Sequence, residues 1–159
     1  MDGPGFDELY AAHADDVFRR CLLLTGNRAD AEDVFQQVWI KVHFELARFR
    51  GDAAPSTWLY RIATNECLNL FRRRRSRPWD RGESVDATDT MAVPDPATDI
   101  DARVDVTKLL RRVSDEERAL LTMKYLDGYS TREIADMMGI GESAVKMRIS
   151  RIRQRLTGT

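Results

Sequence analysis

Four consecutive arginines, Arg72, Arg73, Arg74 and Arg75, close one stretch of helical periodicity, and Lys146, Arg148, Arg151, Arg153 and Arg155 crowd another at the end of the chain. Guanidinium and ammonium groups at such density neutralise phosphates, so the chemistry they point to is nucleic-acid binding. Part of the arginine run is ordinary capping, because cations at a helix C-terminus meet the negative end of its dipole. Four in a row exceed that need. Bond-making chemistry finds no support: there are no clustered carboxylates at metal spacing, no nucleophile with a paired base and no phosphate-cradling glycine loop. His13 and His43 stand apart from each other and from any acid partner. The expectation is a binding protein without cofactor, not an enzyme.

The elements that must position these cations are helices. In the last third, Ser114-Asp115-Glu116-Glu117 and Ser130-Thr131-Arg132-Glu133 both read as capping boxes, the first opening a helix to Leu126 and the second a short helix to Met138. Ala135 supplies the small residue where two helices cross, and Gly139, four positions on, suits a tight turn. A last helix from Glu142 to about Leu156 buries Val145, Ile149, Ile152 and Leu156, with Ile134, Met138 and Ile140 closing the core. At about 100° per residue, Ser143, Met147, Ser150 and Arg151 then point outward, flanked by Lys146, Arg148 and Arg155. Cap, alanine, glycine, stripe and basic face agree on a helix-turn-helix whose second helix enters a major groove.

Earlier in the chain, helices are expected from Phe6 to Leu24, from near Asp30 to Phe49, and from a Ser56 cap to Arg75. Ala31, Val34, Phe35, Val38, Val42, Leu46 and Phe49 form the inward stripe of the second. Its other side carries Asp33, Gln36, Gln37, Ile40, His43 and Phe44. Two large apolar residues one turn apart on a polar face either sit under a neighbouring helix or dock another protein. In the third helix Leu59, Ile62, Ala63 and Leu70 read as core beside Trp58, with Tyr60, Arg61, Thr64, Asn65, Leu68 and Arg72 opposite; Glu66 falls near the buried side without an evident reason.

Charge is distributed in blocks. The whole chain of 159 residues carries −1, but residues 1–77 sum to +1, residues 78–103 to −5 and residues 104–159 to +3. The middle block has three prolines, many Asp and Thr and little apolar periodicity, which is linker composition. The expected fold is all-α: two small helical domains, 1–77 and 104–159, joined by a flexible acidic linker, 78–103. Cys21 and Cys67 lack any metal or redox spacing and suit buried free thiols in a reducing cytoplasm. No apolar run approaches the roughly 20 residues of a membrane span, and MDGPGFDELY is no signal peptide. A soluble cytoplasmic protein without membrane insertion is expected.

Three blocks resemble the extracytoplasmic function (ECF) sigma factors, group IV of the bacterial primary-type sigma factor superfamily. They are Asp30-Ala31-Glu32-Asp33-Val34-Phe35-Gln36-Gln37-Val38-Trp39, then Phe49-Arg50-Gly51-Asp52 followed by Thr57-Trp58-Leu59-Tyr60-Arg61-Ile62-Ala63-Thr64-Asn65, then the helix-turn-helix. They keep the family's order and separation, and with the linker span nearly the whole chain. The resemblance implies that residues 1–77 grip the β′ clamp helices of core RNA polymerase through Asp30, Glu32, Asp33, Gln36, Gln37 and Ile40. It implies that Arg61, Thr64, Asn65, Leu68, Arg72 and Arg73 contact the −10 strand, where an extruded base is held in a protein pocket helped by residues 48–55. It implies that residues 104–159 read the −35 element through Ser143, Lys146, Met147, Arg148, Ser150, Arg151 and Arg153 and rest on the β flap. The acidic linker would thread towards the RNA exit path, and an anti-sigma factor would cover the same faces. Promoter DNA and core polymerase are thus the implied partners. Two positions depart from the family pattern: Pro55-Ser56 stands where relatives place aromatics, and Gly141 where they cap the recognition helix with Ser or Thr. The competing reading is a helix-turn-helix regulator with an N-terminal sensor or dimerisation half, which would bind a palindrome alone.

Overall fold

The computed structural model describes residues 3–76, 108 and 111–158, and among them there is no strand. The chain divides into two compact units, Met1–Met91 and Ala92–Thr159. The acidic 78–103 segment and the start of the expected helices at Val104 lie outside the described residues.

In the first unit α1 spans Phe6–Thr25, α2 Arg28–Glu45 with a 3-10 turn at Leu46–Arg48, and α3 Pro55–Ser76. Each of the three packs on the other two. α1 ends where Gly26 adopts φ 77° and returns its N–H to the Leu22 carbonyl. α2 follows at once: the Asn27 side chain accepts from the Asp30 N–H, so the helix starts two residues before the expected Asp30. Ser56 is not a cap. Pro55 already occupies the first helical position, where its missing N–H costs nothing. Leu24, Val17, Val38, Val42, Leu59 and Ala63 are fully buried at the centre. Phe35, Leu46 and Phe49 of the expected stripe are only half-buried, and Leu70 of α3 likewise; Trp39, Cys67, Leu68 and Phe71 are buried instead. Burial on α3 is broad because α1 and α2 cover two of its sides.

The second unit contains α4 (Asp115–Leu121) continued by a wide π turn at Thr122–Leu126, α5 (Thr131–Met138) and α6 (Glu142–Thr157). Both capping boxes form: Ser114 and Ser130 each accept from the backbone N–H of the glutamate three residues on, and Glu117 and Glu133 accept from the serine N–H in return. Gly139 ends α5 at φ 69°, a conformation that L side chains resist. Ile134, Ala135, Met138, Val145, Ile149 and Ile152 are buried, and Leu156 and Ile140 half-buried. The helix-turn-helix read from sequence is present.

Cys21 and Cys67 are buried free thiols, and burial pushes Cys21 up to about 12, which keeps it unreactive. No described helix is long and apolar enough to cross a membrane.

Candidate functional site

The core-facing residues of α2 leave its outer side uncovered. Ile40 is 51% and Phe44 76% exposed, so no described helix of the first unit covers them. Asp33, Gln36 and Gln37 are exposed on the preceding turns, as is Glu32, which pairs with Arg28 at 3.1 Å. Beside this face runs an aromatic seam between α1 and α2: Phe6 and Tyr10 meet Trp39 edge to face at 5.7 and 4.9 Å, and Phe35 meets Tyr10 at 6.2 Å. An apolar pair on an acidic-and-amide surface suits a partner that supplies both apolar area and basic groups.

On α3, Arg61, Arg72 and Arg73 are exposed and Asn65 half-buried. Arg72 donates to Asn69 at 3.1 Å. The Arg20 guanidinium of α1 lies 4.6 Å from the Tyr60 ring centre, extending the basic surface across the helix junction. At the start of α3, Phe49 and Trp58 stack at 4.6 Å around the 49–55 loop, in which Gly51 takes φ 76°. Stacked aromatics at the edge of a cationic surface are suited to unstacked bases.

On α6, Ser143, Met147, Ser150, Arg151 and Arg153 are exposed. Lys146, also exposed, lies 3.9 Å from Glu142, itself held by the Thr131 hydroxyl at 3.1 Å. The outer face thus combines short polar side chains with cations at groove-reading positions.

Comparison with known proteins decides between a sigma factor and an ordinary helix-turn-helix regulator. Residues 9–77 match the family model described as Sigma-70 region 2, and residues 103–156 that described as Sigma-70, region 4. The ECF RNA polymerase sigma factor SigM of Mycobacterium tuberculosis is 33% identical over 155 residues, covering 98% of this chain and 76% of the relative. SigW of Bacillus subtilis is 26% identical over 165 residues, covering 98% and 88%. Among solved structures, the sigma factor RpoE of Bartonella quintana, in complex with the anti-sigma factor NepR, matches with a TM-score of 0.65 at 23% identity, over 96% of this chain and 94% of that one.

The chain belongs to the ECF sigma factors.

In this sigma factor three of the sequence-derived site residues are not where the reading needs them. Asp30 is buried, 5% exposed, and holds Arg74 and Asn27; it faces α3, not a docking partner. Thr64 is fully buried, its hydroxyl donating to the Tyr60 carbonyl at 2.9 Å, and Leu68 is 4% exposed in the three-helix core. Neither presents surface to a DNA strand in this structure. Arg148, on the flank of the outer face of α6, is half-buried and lies 3.7 Å from Glu116. The other named residues are exposed or, for Asn65, partly so.

Sequence reasoning also missed what holds the site. Glu66 is buried and ion-paired with Lys41 of α2 at 3.7 Å, which accounts for its place near the core. Arg155 pairs with Glu117 of α4, so two of the three acids of α4 hold α6 at two points. Burial alone would raise the Glu117 pKa, but hydrogen bonds from Arg155 and the Ser114 N–H outweigh it and hold the carboxyl below its ordinary value. The Phe6/Tyr10 and Phe35/Trp39 pairs, each four residues apart, were the legible signal for the seam.

Proposed function

We propose that this ECF sigma factor docks on core RNA polymerase through the outer face of α2 and opens promoters with α3 while α6 reads duplex DNA upstream. The observation that carries it is the exposure of Ile40 and Phe44 beside Asp33, Gln36 and Gln37. A solvated helix face rarely leaves two such side chains uncovered, and the β′ clamp helices would cover them. Arg61, Asn65, Arg72 and Arg73 would track the −10 strand, with Phe49 and Trp58 bordering the pocket for an extruded base. Ser143, Lys146, Met147, Ser150, Arg151 and Arg153 would read and grip the −35 element, and the second unit would rest on the β flap. The domain limits 1–77 and 104–159 follow from this division. The factor works by binding, in the cytoplasm, without catalysis or a cofactor. Because RpoE, similar in fold, was solved with a bound anti-sigma factor, an anti-sigma factor covering α2 and α6 is the expected regulator.

The test is electrophoretic mobility of promoter DNA with and without core enzyme. The factor alone should bind weakly and the holoenzyme specifically; tight binding to a palindrome by the chain alone would overturn the reading. Replacing Asp33 and Gln37 together by Arg should abolish association with core while the helical circular dichroism is unchanged. Arg151→Ala should weaken −35 recognition and leave core binding intact.

A further inference from the structure

The buried carboxylate of Asp30 divides the arginine run into parts with different tasks. Arg74 crosses from the last turn of α3 to the first turn of α2 and donates two hydrogen bonds to Asp30, Nη1 to Oδ2 at 2.8 Å and Nη2 to Oδ1. The planar fork of guanidinium matches both carboxylate oxygens, a geometry that lysine cannot reproduce. Asn27 completes the set: its Nδ2 donates to Asp30 Oδ2 at 2.7 Å, while its Oδ1 accepts from the Asp30 N–H at 2.9 Å. The Asp30 side chain is 7% exposed and that of Arg74 35%. Burial would push the Asp30 carboxyl up, yet the bonds from Arg74 and Asn27 and the charge of Arg74 outweigh it and hold it below its ordinary value. The contact joins positions 44 apart in sequence.

Arg72, Arg73 and Arg75 are exposed around this one half-buried neighbour. Phe71 is the last buried apolar side chain of α3, and beyond it the Arg74 fork ties the turn that carries the arginines to α2. We propose that Arg74 is an internal anchor and not a nucleic-acid ligand, and that with Asp30 it positions Arg72, Arg73 and Arg75 against the promoter strand relative to the polymerase-docking helix. The inference rests on the docking and opening roles proposed above. It makes Asp30 and Arg74 positioning residues that link the helix gripping the enzyme to the helix meeting DNA.

Electrostatics and positioning make opposite forecasts for Asp30→Asn. Removing a negative charge beside an arginine run should tighten or preserve DNA binding if charge alone matters. If the carboxylate positions the run, the substitution weakens it. The experiment uses full-length chain and core polymerase and reads two quantities separately: core affinity, and open-complex formation by permanganate footprinting on a promoter. Asp30→Asn should open DNA roughly tenfold less well with core affinity within about twofold. Arg74→Lys keeps the charge and loses the fork, and should fall by a similar factor. The double variant Asp30→Asn with Arg74→Gln should be no worse than Asp30→Asn, because both act through one contact. Wild-type opening by Asp30→Asn, or by Arg74→Lys, would overturn the inference. So would loss of the folded unit in both variants, which would make the pair a fold-holding contact only. Failure of the wild-type chain to bind core at all would instead sink the functional reading.

Discussion

The two units reach a fixed helical arrangement by different means. The first has helices of 20, 18 and 22 residues, each packed on two neighbours, and sixteen apolar side chains that are buried among the described residues. The second has helices of 7, 8 and 16 residues and ten such side chains. Helices of one or two turns do not persist in water alone, so α4 and α5 carry full capping boxes where α1 has no side-chain cap at all. The charged pairs differ in the same sense. Asp30 is buried, 7% exposed, where it meets the half-buried Arg74 of the first unit, whereas Glu117 and Arg155 meet at the rim of the second, 25% and 49% exposed. Burial stabilises the unit that leaves Ile40 and Phe44 exposed. Local hydrogen bonding stabilises the unit that carries the helix-turn-helix.

The largest test of that contrast is a matched pair of core truncations. Leu59→Ala and Ile134→Ala each empty a fully buried site and should each cost about 2–5 kcal/mol. The smaller core has less to lose, so Ile134→Ala should unfold the second unit at ambient temperature while Leu59→Ala leaves the first folded with a lowered melting temperature. Amide spectra by NMR distinguish the two. Survival of the second unit with an unchanged transition would mean its core contributes less than its caps.

Next comes the pair of acids. Asp30→Asn should cost about 2 kcal/mol near neutral pH, the usual worth of hydrogen bonds to a charged group. Glu117→Gln, at a partly exposed pair, should cost under about 1 kcal/mol, since glutamine also closes a capping box. The pH dependence follows from the direction of each shift. The Asp30 carboxyl lies below its ordinary 3.8 when folded, so its contribution is fully present above that value and is lost as pH falls through the lower folded value. Wild type and Asp30→Asn should therefore converge in stability in strong acid and separate above about pH 4. Glu117, lowered from 4.5, follows the same sign with a smaller gap. Denaturant melts at several pH values measure both; a gap for Asp30→Asn that widened towards acid would refute the direction.

The same contrast explains what the sequence made legible. The second unit is written in short-range signals: Ser114 to Glu117, Ser130 to Glu133, Ala135 to Gly139. All of these are present in the structure because caps and turns are decided within four or five residues. The first unit depends on which faces meet, and a single helical wheel assumes one buried stripe. α3 has neighbours on two sides, so Thr64 and Leu68, placed outward by the wheel, are buried. Asp30 entered the docking set through the family resemblance alone, and its partner lies 44 positions away, hidden among four identical residues. Arg148 also meets Glu116 of α4, a contact between elements that a single helical wheel does not show. The exposed pair Ile40 and Phe44 could be seen as unusual in sequence, but only the packing shows that no described helix of the unit covers them.

Smaller effects probe the caps themselves. Ser130→Ala removes the hydroxyl that accepts from the Glu133 N–H and should cost about 1 kcal/mol, read as a lower denaturation midpoint for the second unit. The corresponding change in the first unit, Asn27→Ala, removes both a cap and a ligand of Asp30. It should cost more than Ser130→Ala, and an equal cost would indicate that the Asn27 contact to Asp30 adds nothing to the cap.

The least effect expected is a gain. Gly141 caps α6 with φ −75° and ψ 154° and no side-chain hydrogen bond, and an added Cβ would meet nothing within 4 Å. Gly141→Ser therefore fits the existing backbone and should stabilise the second unit by a few tenths of a kcal/mol. The new hydroxyl would accept from backbone N–H groups in the first turn of α6, the donors that a helix entering a groove turns towards phosphate. Stability and −35 affinity should then part: a higher denaturation midpoint with duplex binding by the holoenzyme unchanged or slightly weaker. If the serine raised both together, glycine at this position would be limiting the order of the recognition helix, and the free N–H groups would have no part in holding the DNA backbone.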